Sequence, residues 1–153
     1  MYKSADDGTI TVGELDVRFL IEAADSNGTA SVFECHVPAN SRMPLPHSHD
    51  GFEETIYGLE GTTAWTIDNE TRDIGPGEAV CVRRGQIHGF QNRGDLDATF
   101  LAIATPAVFG PAYFREIVEV LARTAGGSPD MGAIGDVMRR HGLTPAPPPS
   151  IES

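Results

Sequence analysis

The stretch PLPHSHDGFEETIYGLEG, residues 44–61, carries two histidines two positions apart and two glutamates close behind them. Residues two apart on a β-strand face the same side, so His47 and His49 can converge on one point if a strand carries both. Neutral imidazole binds Fe, Ni, Cu, Zn or Mn, and a carboxylate ligand adds negative charge. A histidine-rich surface loop is the alternative, and these two histidines alone do not decide between the two interpretations.

A third histidine lies in a second polar stretch, RRGQIHGFQN, residues 83–92. His88 follows a glycine-containing turn and has Ile87 and Phe90 as neighbours, which predicts that it faces a lined cavity. Three imidazoles and one carboxylate can hold a divalent ion and leave positions open for a substrate. Open coordination of this kind is typical of a working metal site rather than a structural one.

The chain from residue 9 to about residue 105 alternates short β-rich segments with turn residues. Asp25-Ser26-Asn27-Gly28, between two apolar runs, predicts a hairpin. Short strands at regular spacing are typical of a sandwich or a barrel. The predicted strands are TITV (9–12), LDVRFLIEA (15–23), TASVFECHV (29–37), EETIYGL (53–59), TTAWTID (62–68), EAVCVR (78–83), HGFQN (88–92) and ATFLAIA (98–104).

Two helices are predicted after Pro106, where the apolar residues take up helical spacing. The first is GPAYFREIVEVLART, residues 110–124, which opens with a Gly-Pro pair. The second is SPDMGAIGDVMRRHG, residues 128–142, with Ser128 as N-cap and Gly142 as the C-terminal stop. Its apolar stripe, expected to pack on the β-body, consists of Met131, Ile134 and Met138.

These patterns divide the 153 residues into a β-body (1–105), a helical extension (106–143) and a Pro-rich tail (144–153). The length suits one domain with a buried core, and the tail is expected to be disordered. Cys35 and Cys81 lie in apolar, strand-like segments, so both are expected to be buried free thiols.

The net charge of −11 argues against nucleic acid or an anionic membrane surface as partner. Contacts with phosphates require clustered Lys and Arg, and this chain has only 11 basic residues. No apolar run approaches the roughly 18 residues of a membrane span, and the N-terminus lacks the apolar core of a signal peptide. A cytoplasmic location is therefore expected.

The two histidine-containing stretches resemble the paired motifs of the cupin superfamily in both order and spacing. In the first, His47-Ser48-His49 is followed by four residues, Glu54, six residues and Gly61. The positions that match the second motif are Gly77, Gly85, His88 and Asn92. The resemblance covers residues 15–104. It implies an all-β cupin double-stranded β-helix, a jelly-roll barrel, followed by the two short helices.

Two positions depart from the cupin motifs. Arg83 stands where the second motif has proline, which is expected to change the rigidity of the turn; alternatively it directs a cation toward the site mouth. Ser41, with Asn40 beside it, stands where the first motif begins with glycine. Asn40 is expected to take the left-handed conformation in its place. Neither change removes a ligand.

The resemblance implies His47, His49, His88 and Glu54 as ligands of one divalent transition metal: Fe, Mn, Ni, Zn or Cu. It implies that Glu54 also acts as a base. The spacing to Gly61 selects Glu54, and strand parity sends Glu53 to the outer face, where it is solvated or paired. The two histidines outside both motifs are assigned structural roles: His36 and His141.

Strand parity also predicts an apolar substrate pocket around the metal. Gly58 is expected to leave space near the ion. For each pocket residue, plain packing in the barrel core is the alternative explanation. The predicted pocket residues are Ile56, Gly58, Trp65, Phe90 and Phe100.

The chain is similar to small single-domain cupins described as quercetin-dioxygenase-like. This resemblance implies a metal-dependent dioxygenase that acts on a small enolic or phenolic compound. Two alternatives stay open. One is a non-catalytic module that binds a metal-chelated ligand, which tail helices covering the pocket would favour. The other is a metal-dependent isomerase or lyase that needs no dioxygen. A homodimer is expected, since the β-body has edges and faces to cover.

Overall fold

The computed structural model describes residues 8–43 and 45–147 of the chain. Over these residues the backbone forms eleven strands and two helices around one apolar core. In chain order they are β1 (Thr9–Val12), β2 (Leu15–Ile21), β3 (Ser31–Val37), β4 (His47–His49), β5 (Glu53–Glu60), β6 (Thr63–Ile67), β7 (Glu70–Ile74), β8 (Ala79–Val82), β9 (His88–Gln91), β10 (Ala98–Thr105), α1 (Pro111–Arg123), α2 (Met131–Arg140) and β11 (Leu143–Pro145).

The strands form two antiparallel sheets, as a jelly-roll barrel requires. The six-stranded sheet has the order β1-β2-β3-β10-β5-β8, and the five-stranded sheet has the order β11-β4-β9-β6-β7. Buried and partly exposed residues alternate along the central strands, with Phe100, Ala102 and Ala104 of β10 facing the core. This alternation is typical of strands in a barrel, because a period of two lets each strand bury one face. Together with the two helices that follow the strands, it confirms the predicted all-β barrel with two C-terminal helices.

The turn that precedes the first histidines confirms the expectation for Asn40. Asn40 has a φ of 57°, in the left-handed region that asparagine tolerates better than most residues. The next residue, Ser41, is buried, and its hydroxyl donates to the carbonyl of Pro38 at 2.6 Å. An asparagine therefore makes the turn that the first motif usually makes with glycine.

Three strand predictions need correction. The connection between β2 and β3 is longer than the predicted four-residue turn, because β2 ends at Ile21 and a 3₁₀ turn follows at Ala23–Asp25. Strand β7 was not predicted, because its first four residues are polar and exposed and only Ile74 is buried. Strand β11 was not predicted either. It takes Thr144 and Pro145 from the expected tail, and proline is compatible with a short edge strand.

The helices follow the prediction except at the start of α2. Its N-cap is Asp130 rather than Ser128, and the Asp130 carboxylate accepts a hydrogen bond from the Ala133 amide at 3.0 Å. Ile134 and Met138 are buried as expected, whereas Met131 is 45% exposed because it lies in the first turn. Of the predicted Pro-rich tail, residues 148–153 lie outside the described residues.

The cysteines are both free, but only one is buried. Cys35 lies in the core on β3, whereas Cys81 is exposed on the edge strand β8, so the expectation for Cys81 was wrong. The side chain of Cys81 faces outward because the neighbouring residue Val82 takes the core-facing position. Among the described residues, no helix has the length and apolar character that crossing a bilayer requires.

Candidate metal centre

The three motif histidines meet inside the barrel on two neighbouring strands. Strand β4 runs antiparallel to β9 with His47 directly opposite His88, and His49 lies two residues further on the same face of β4. Each ring offers one nitrogen, and these nitrogens lie within 4.8 Å of one another. The side chains are 7%, 1% and 3% exposed for His47, His49 and His88 respectively. The structure thus brings together the three histidines that the sequence predicts.

Backbone carbonyls orient two of the three rings. Nδ1 of His47 donates to the carbonyl of Leu45 at 3.1 Å, and Nδ1 of His88 donates to the carbonyl of Gln86 at 3.0 Å. A carbonyl only accepts, so each Nε2 keeps its lone pair for another partner. This is the outer hydrogen bond that fixes the tautomer of a metal-bound histidine.

The third ring has a nitrogen without any partner. Nδ1 of His49 is buried and makes no hydrogen bond to any part of the chain that the structure describes. Its Nε2 lies 3.2 Å from Oε2 of Glu54, and the ring stacks on Phe52 with centroids 4.2 Å apart. A buried polar atom without a partner is costly. Three converging imidazoles and this orphaned nitrogen fit a divalent transition metal.

The surroundings keep the imidazoles neutral, which is the form that binds a metal. Burial, with a smaller contribution from His88, lowers the pKa of His47 to about 3. Burial, His88 and His47 together lower the pKa of His49 to about 2. Burial also lowers the pKa of His88. The three imidazoles therefore need no deprotonation at neutral pH to accept a cation.

The two adjacent glutamates on β5 face opposite ways, as strand parity predicts. Glu54 is 7% exposed and lies against His49, and burial raises the pKa of Glu54 to about 7. Glu53 faces outward and accepts hydrogen bonds from the guanidinium and the backbone amide of Arg84 at 2.6 to 3.0 Å. These bonds lower the pKa of Glu53 to about 2.

The histidines and Glu54 open onto a small apolar cavity of about 80 Å³. Since a single water needs at least roughly 10–15 Å³, this volume has room for a few water molecules or a small ligand. The wall includes Trp65, Phe90 and Phe100, three of the five predicted pocket residues. The remaining wall comes from β1 to β3, the segment before β4, and both helices.

Two predicted pocket residues do not line this cavity. Ile56 is fully buried in the core. Gly58 leaves no space near the histidines, because a Cβ placed on it would lie 2.0 Å from the carbonyl oxygen of Gly75. The missing side chain makes room for the backbone of the next turn. Strand parity predicted correctly that both residues point inward, but it could not predict which atoms they would contact.

The helices contribute wall residues that the sequence did not assign to the site. They are Tyr113, Phe114, Ile117, Ile134 and Met138. Helical spacing had identified two of them, Ile134 and Met138, as part of an apolar stripe. Which cavity the stripe covers depends on how the helices pack against the barrel, and no local sequence pattern predicts that packing.

The remaining predicted residues lie away from the cluster. His36 contacts Thr99 and Asp97, and His141 contacts Glu116, so both have structural partners. Arg83 is exposed and does not line the cavity. Its backbone amide donates to Oε1 of Gln86 at 2.9 Å. A proline at position 83 could not make this bond, so here a side chain holds the turn.

A family profile described as a cupin domain matches residues 33–104, which include both histidine motifs. An uncharacterized protein of Methanocaldococcus jannaschii, MJ1618, is 31% identical over 91 residues, which are 60% of this chain and 68% of that protein. This chain belongs to the cupin superfamily.

Two further relatives of this cupin come from Streptomyces. The structure of the polyketide cyclase RemF from Streptomyces resistomycificus is 30% identical, with a TM-score of 0.60 over 69% of this chain and 80% of that chain. The tetracenomycin polyketide synthase protein TcmJ of Streptomyces glaucescens is 27% identical over 70% of this chain and 72% of that protein. Neither alignment spans the whole of this cupin.

Proposed function

We propose that this cupin is a metal-dependent enzyme that transfers a proton on a small compound with a carbonyl group that can form an enol. The observation that carries the proposal is the position of Glu54. Its buried carboxylate lies beside His49 in the same small apolar cavity that the three histidines face. A carboxylate held in this way is well placed to act as a general base.

A divalent ion held by His47, His49 and His88, with Glu54 as proposed fourth ligand, would act as a Lewis acid toward a substrate oxygen. Glu54 removes a proton from the carbon next to a carbonyl group. The C–H bond breaks, its electron pair moves onto the substrate to give an enolate, and an O–H bond forms on the carboxylate. The apolar wall limits the number of water molecules around the substrate, which strengthens these electrostatic interactions.

The Streptomyces relatives support this class of chemistry. RemF is described as a polyketide cyclase and TcmJ as a polyketide synthase protein. Closing a ring in a chain of ketones requires an enolate carbon, so it begins with the proton transfer proposed for Glu54. The small cavity favours a compact substrate, or a compact part of a larger one.

The test is deuterium exchange of benzyl methyl ketone in D₂O, followed by proton NMR with Zn-, Mn-, Fe- and Ni-loaded protein. We expect exchange above the level of buffer plus metal, and we expect Glu54→Gln to reduce it by about 100-fold or more. Glu53→Gln is the matched control, because Glu53 faces outward. Exchange no faster than in buffer, with every metal, contradicts the proposal.

Dioxygenase chemistry on a small enolic or phenolic compound, as predicted from the sequence, is the second candidate. The observation in its favour is the apolar wall beside the histidines, which limits the water around an oxygen-dependent reaction. Oxygen uptake by the metal-loaded protein with a panel of enols, phenols and flavonols tests it. Proton exchange that persists without oxygen favours the first candidate.

A non-catalytic binding module also keeps one observation in its favour, since both helices line the cavity. Such a module would bind an enolic probe tightly but would show neither proton exchange nor oxygen uptake. The two assays above therefore separate it from both enzymatic candidates.

A further inference from the structure

Helix α1 lies outside both histidine motifs and outside the matched cupin domain, yet it brings a phenol to the metal cavity. Tyr113, in its first turn, is 5% exposed and lines the cavity together with His49 and Glu54. Among the wall residues that the helices supply, Tyr113 alone carries a hydroxyl group. The contribution of α1 to this wall is therefore both apolar and polar.

Packing accounts for the ring of Tyr113 but not for its hydroxyl. The ring centroid lies 5.0 Å from that of Phe109 and 5.1 Å from that of Phe114. The hydroxyl makes no hydrogen bond to any residue within the described part of the chain. The hydroxyl is not among the buried atoms that lack a partner, so it is an accessible group on the lining of the cavity. The hydroxyl thus lacks a partner that a ligand in the cavity can supply.

The surroundings keep this phenol a hydrogen-bond donor. Burial, with a further contribution from the negative charge of Glu54, raises the pKa of Tyr113. The phenol stays protonated and can donate to an acceptor. The ring also packs in a T-shaped arrangement against that of His141, with centroids 5.7 Å apart, and His141 contacts Glu116 on α1. These contacts tie α1 to the end of α2 and hold Tyr113 in the wall.

We propose that Tyr113 binds the substrate directly, with its hydroxyl donating a hydrogen bond to a substrate oxygen. This inference deepens the proposed function and rests on it. The ligands it selects are small compounds with a carbonyl, enolate or phenolate oxygen that remains free to accept. The helical extension then contributes to substrate specificity, because it supplies a hydroxyl donor in addition to the three histidines and Glu54 of the barrel.

The test uses Co²⁺-loaded protein and acetylacetone as the probe, with binding followed by the visible absorption of the ion. We expect Tyr113→Phe to leave the Co²⁺ content unchanged and to raise the Kd for acetylacetone about tenfold or more, since a hydrogen bond to a charged oxygen is lost. Tyr57→Phe is the matched control, because Tyr57 is 42% exposed and does not line the cavity.

A second probe separates a lost hydrogen bond from a disturbed fold. Imidazole binds Co²⁺ through nitrogen and has no oxygen acceptor, so wild type and Tyr113→Phe should bind it equally. Equal affinities of the two proteins for acetylacetone, or no acetylacetone binding by the wild type, overturn the inference. Tyrosine-dependent binding without proton exchange on ketones would instead contradict only the proposed function.

Discussion

Two of the proposed ligand residues in this cupin are held in place by local contacts within the chain. His47 and His88 face each other across neighbouring strands, and a backbone carbonyl two residues earlier in the chain orients each ring. In both cases the carbonyl belongs to a residue just before the strand that carries the histidine. His47 and His88 are therefore pre-positioned by their own strands and by the residues that lead into them.

Replacement of one ligand should abolish metal retention. We expect His88→Ala to lower the affinity for Zn²⁺ by more than the roughly 10–100-fold that follows loss of an outer-shell partner. Dialysis against a graded chelator, followed by elemental analysis, measures the change. His36→Ala is the control, because His36 contacts Asp97 away from the cluster. Equal metal content in the two variants would refute the assignment of ligands.

The ion pair between Glu53 and Arg84, which lies outside the site, should make the stability of the fold depend on pH. The folded pKa of Glu53 lies at about 2, below its ordinary value of 4.5, because Arg84 binds the ionised carboxylate. The unfolded chain therefore takes up this proton first as the pH falls. The stabilisation is complete above about pH 4.5 and is lost progressively as the pH falls toward 2.

Thermal unfolding of Glu53→Gln tests this pH dependence. The difference in Tm between wild type and variant should be largest near pH 7 and should shrink between about pH 4.5 and pH 2. Glu70→Gln is a control, because its pair with Arg72 spans 3.4 Å on the open surface and should contribute little. A difference in Tm that stays constant over this range would argue against the pair with Arg84.

The strand that carries His47 and His49, β4, pairs mainly with a strand that lies far from it in the sequence. Strand β4 carries two of the proposed ligands but pairs with β9 at a single position, His47 with His88. Its other edge pairs along its full length with β11, near the end of the described chain. Backbone bonds extend this contact at both ends, from Asp50 to Gly142 and from Ala146 to Pro46.

Removal of β11 should weaken metal binding although it removes no ligand. We expect truncation after Gly142 to lower the Zn²⁺ affinity by about tenfold and to lower the Tm, because β4 loses most of its backbone partners. Truncation after residue 147 keeps β11 and serves as the control. The interpretation fails if the shorter chain binds Zn²⁺ as tightly as the control does.

At the scale of the whole molecule, the outer face of the six-stranded sheet exposes apolar side chains. Tyr57 and Leu59 on β5 are 42% and 36% exposed, and Leu101 and Ile103 on the neighbouring β10 are partly exposed. Leu101 lies directly opposite Tyr57 in the sheet. The homodimer expected from the sequence stays a prediction, and this face is where we expect the second copy to pack.

Sedimentation of the wild type at micromolar concentration should give the mass of a dimer. Leu101→Glu should shift it to a monomer, because a charge would be buried without a partner in the interface. The control is Leu96→Glu, since Leu96 is 75% exposed in the loop before β10. A monomeric mass for the wild type would refute the dimer.

The sequence by itself determined the barrel, the three histidines and the inward direction of Glu54. These features follow from local rules: a strand alternates its faces with a period of two, and turns fix where each strand begins. Those rules act over a few residues of the chain, so the spacing of His47, His49 and Glu54 was enough to predict that their side chains face the same interior.

Only the tertiary structure decided what each face meets. It showed that Gly58 makes room for Gly75, that β11 completes the edge of β4, and that α1 brings Tyr113 to the cavity. Each of these contacts joins segments that are separated along the chain, and no local sequence pattern predicts the contact. Packing between segments that are distant in sequence is a property of the folded chain. The residues that form the cavity wall could therefore be identified only from the tertiary structure.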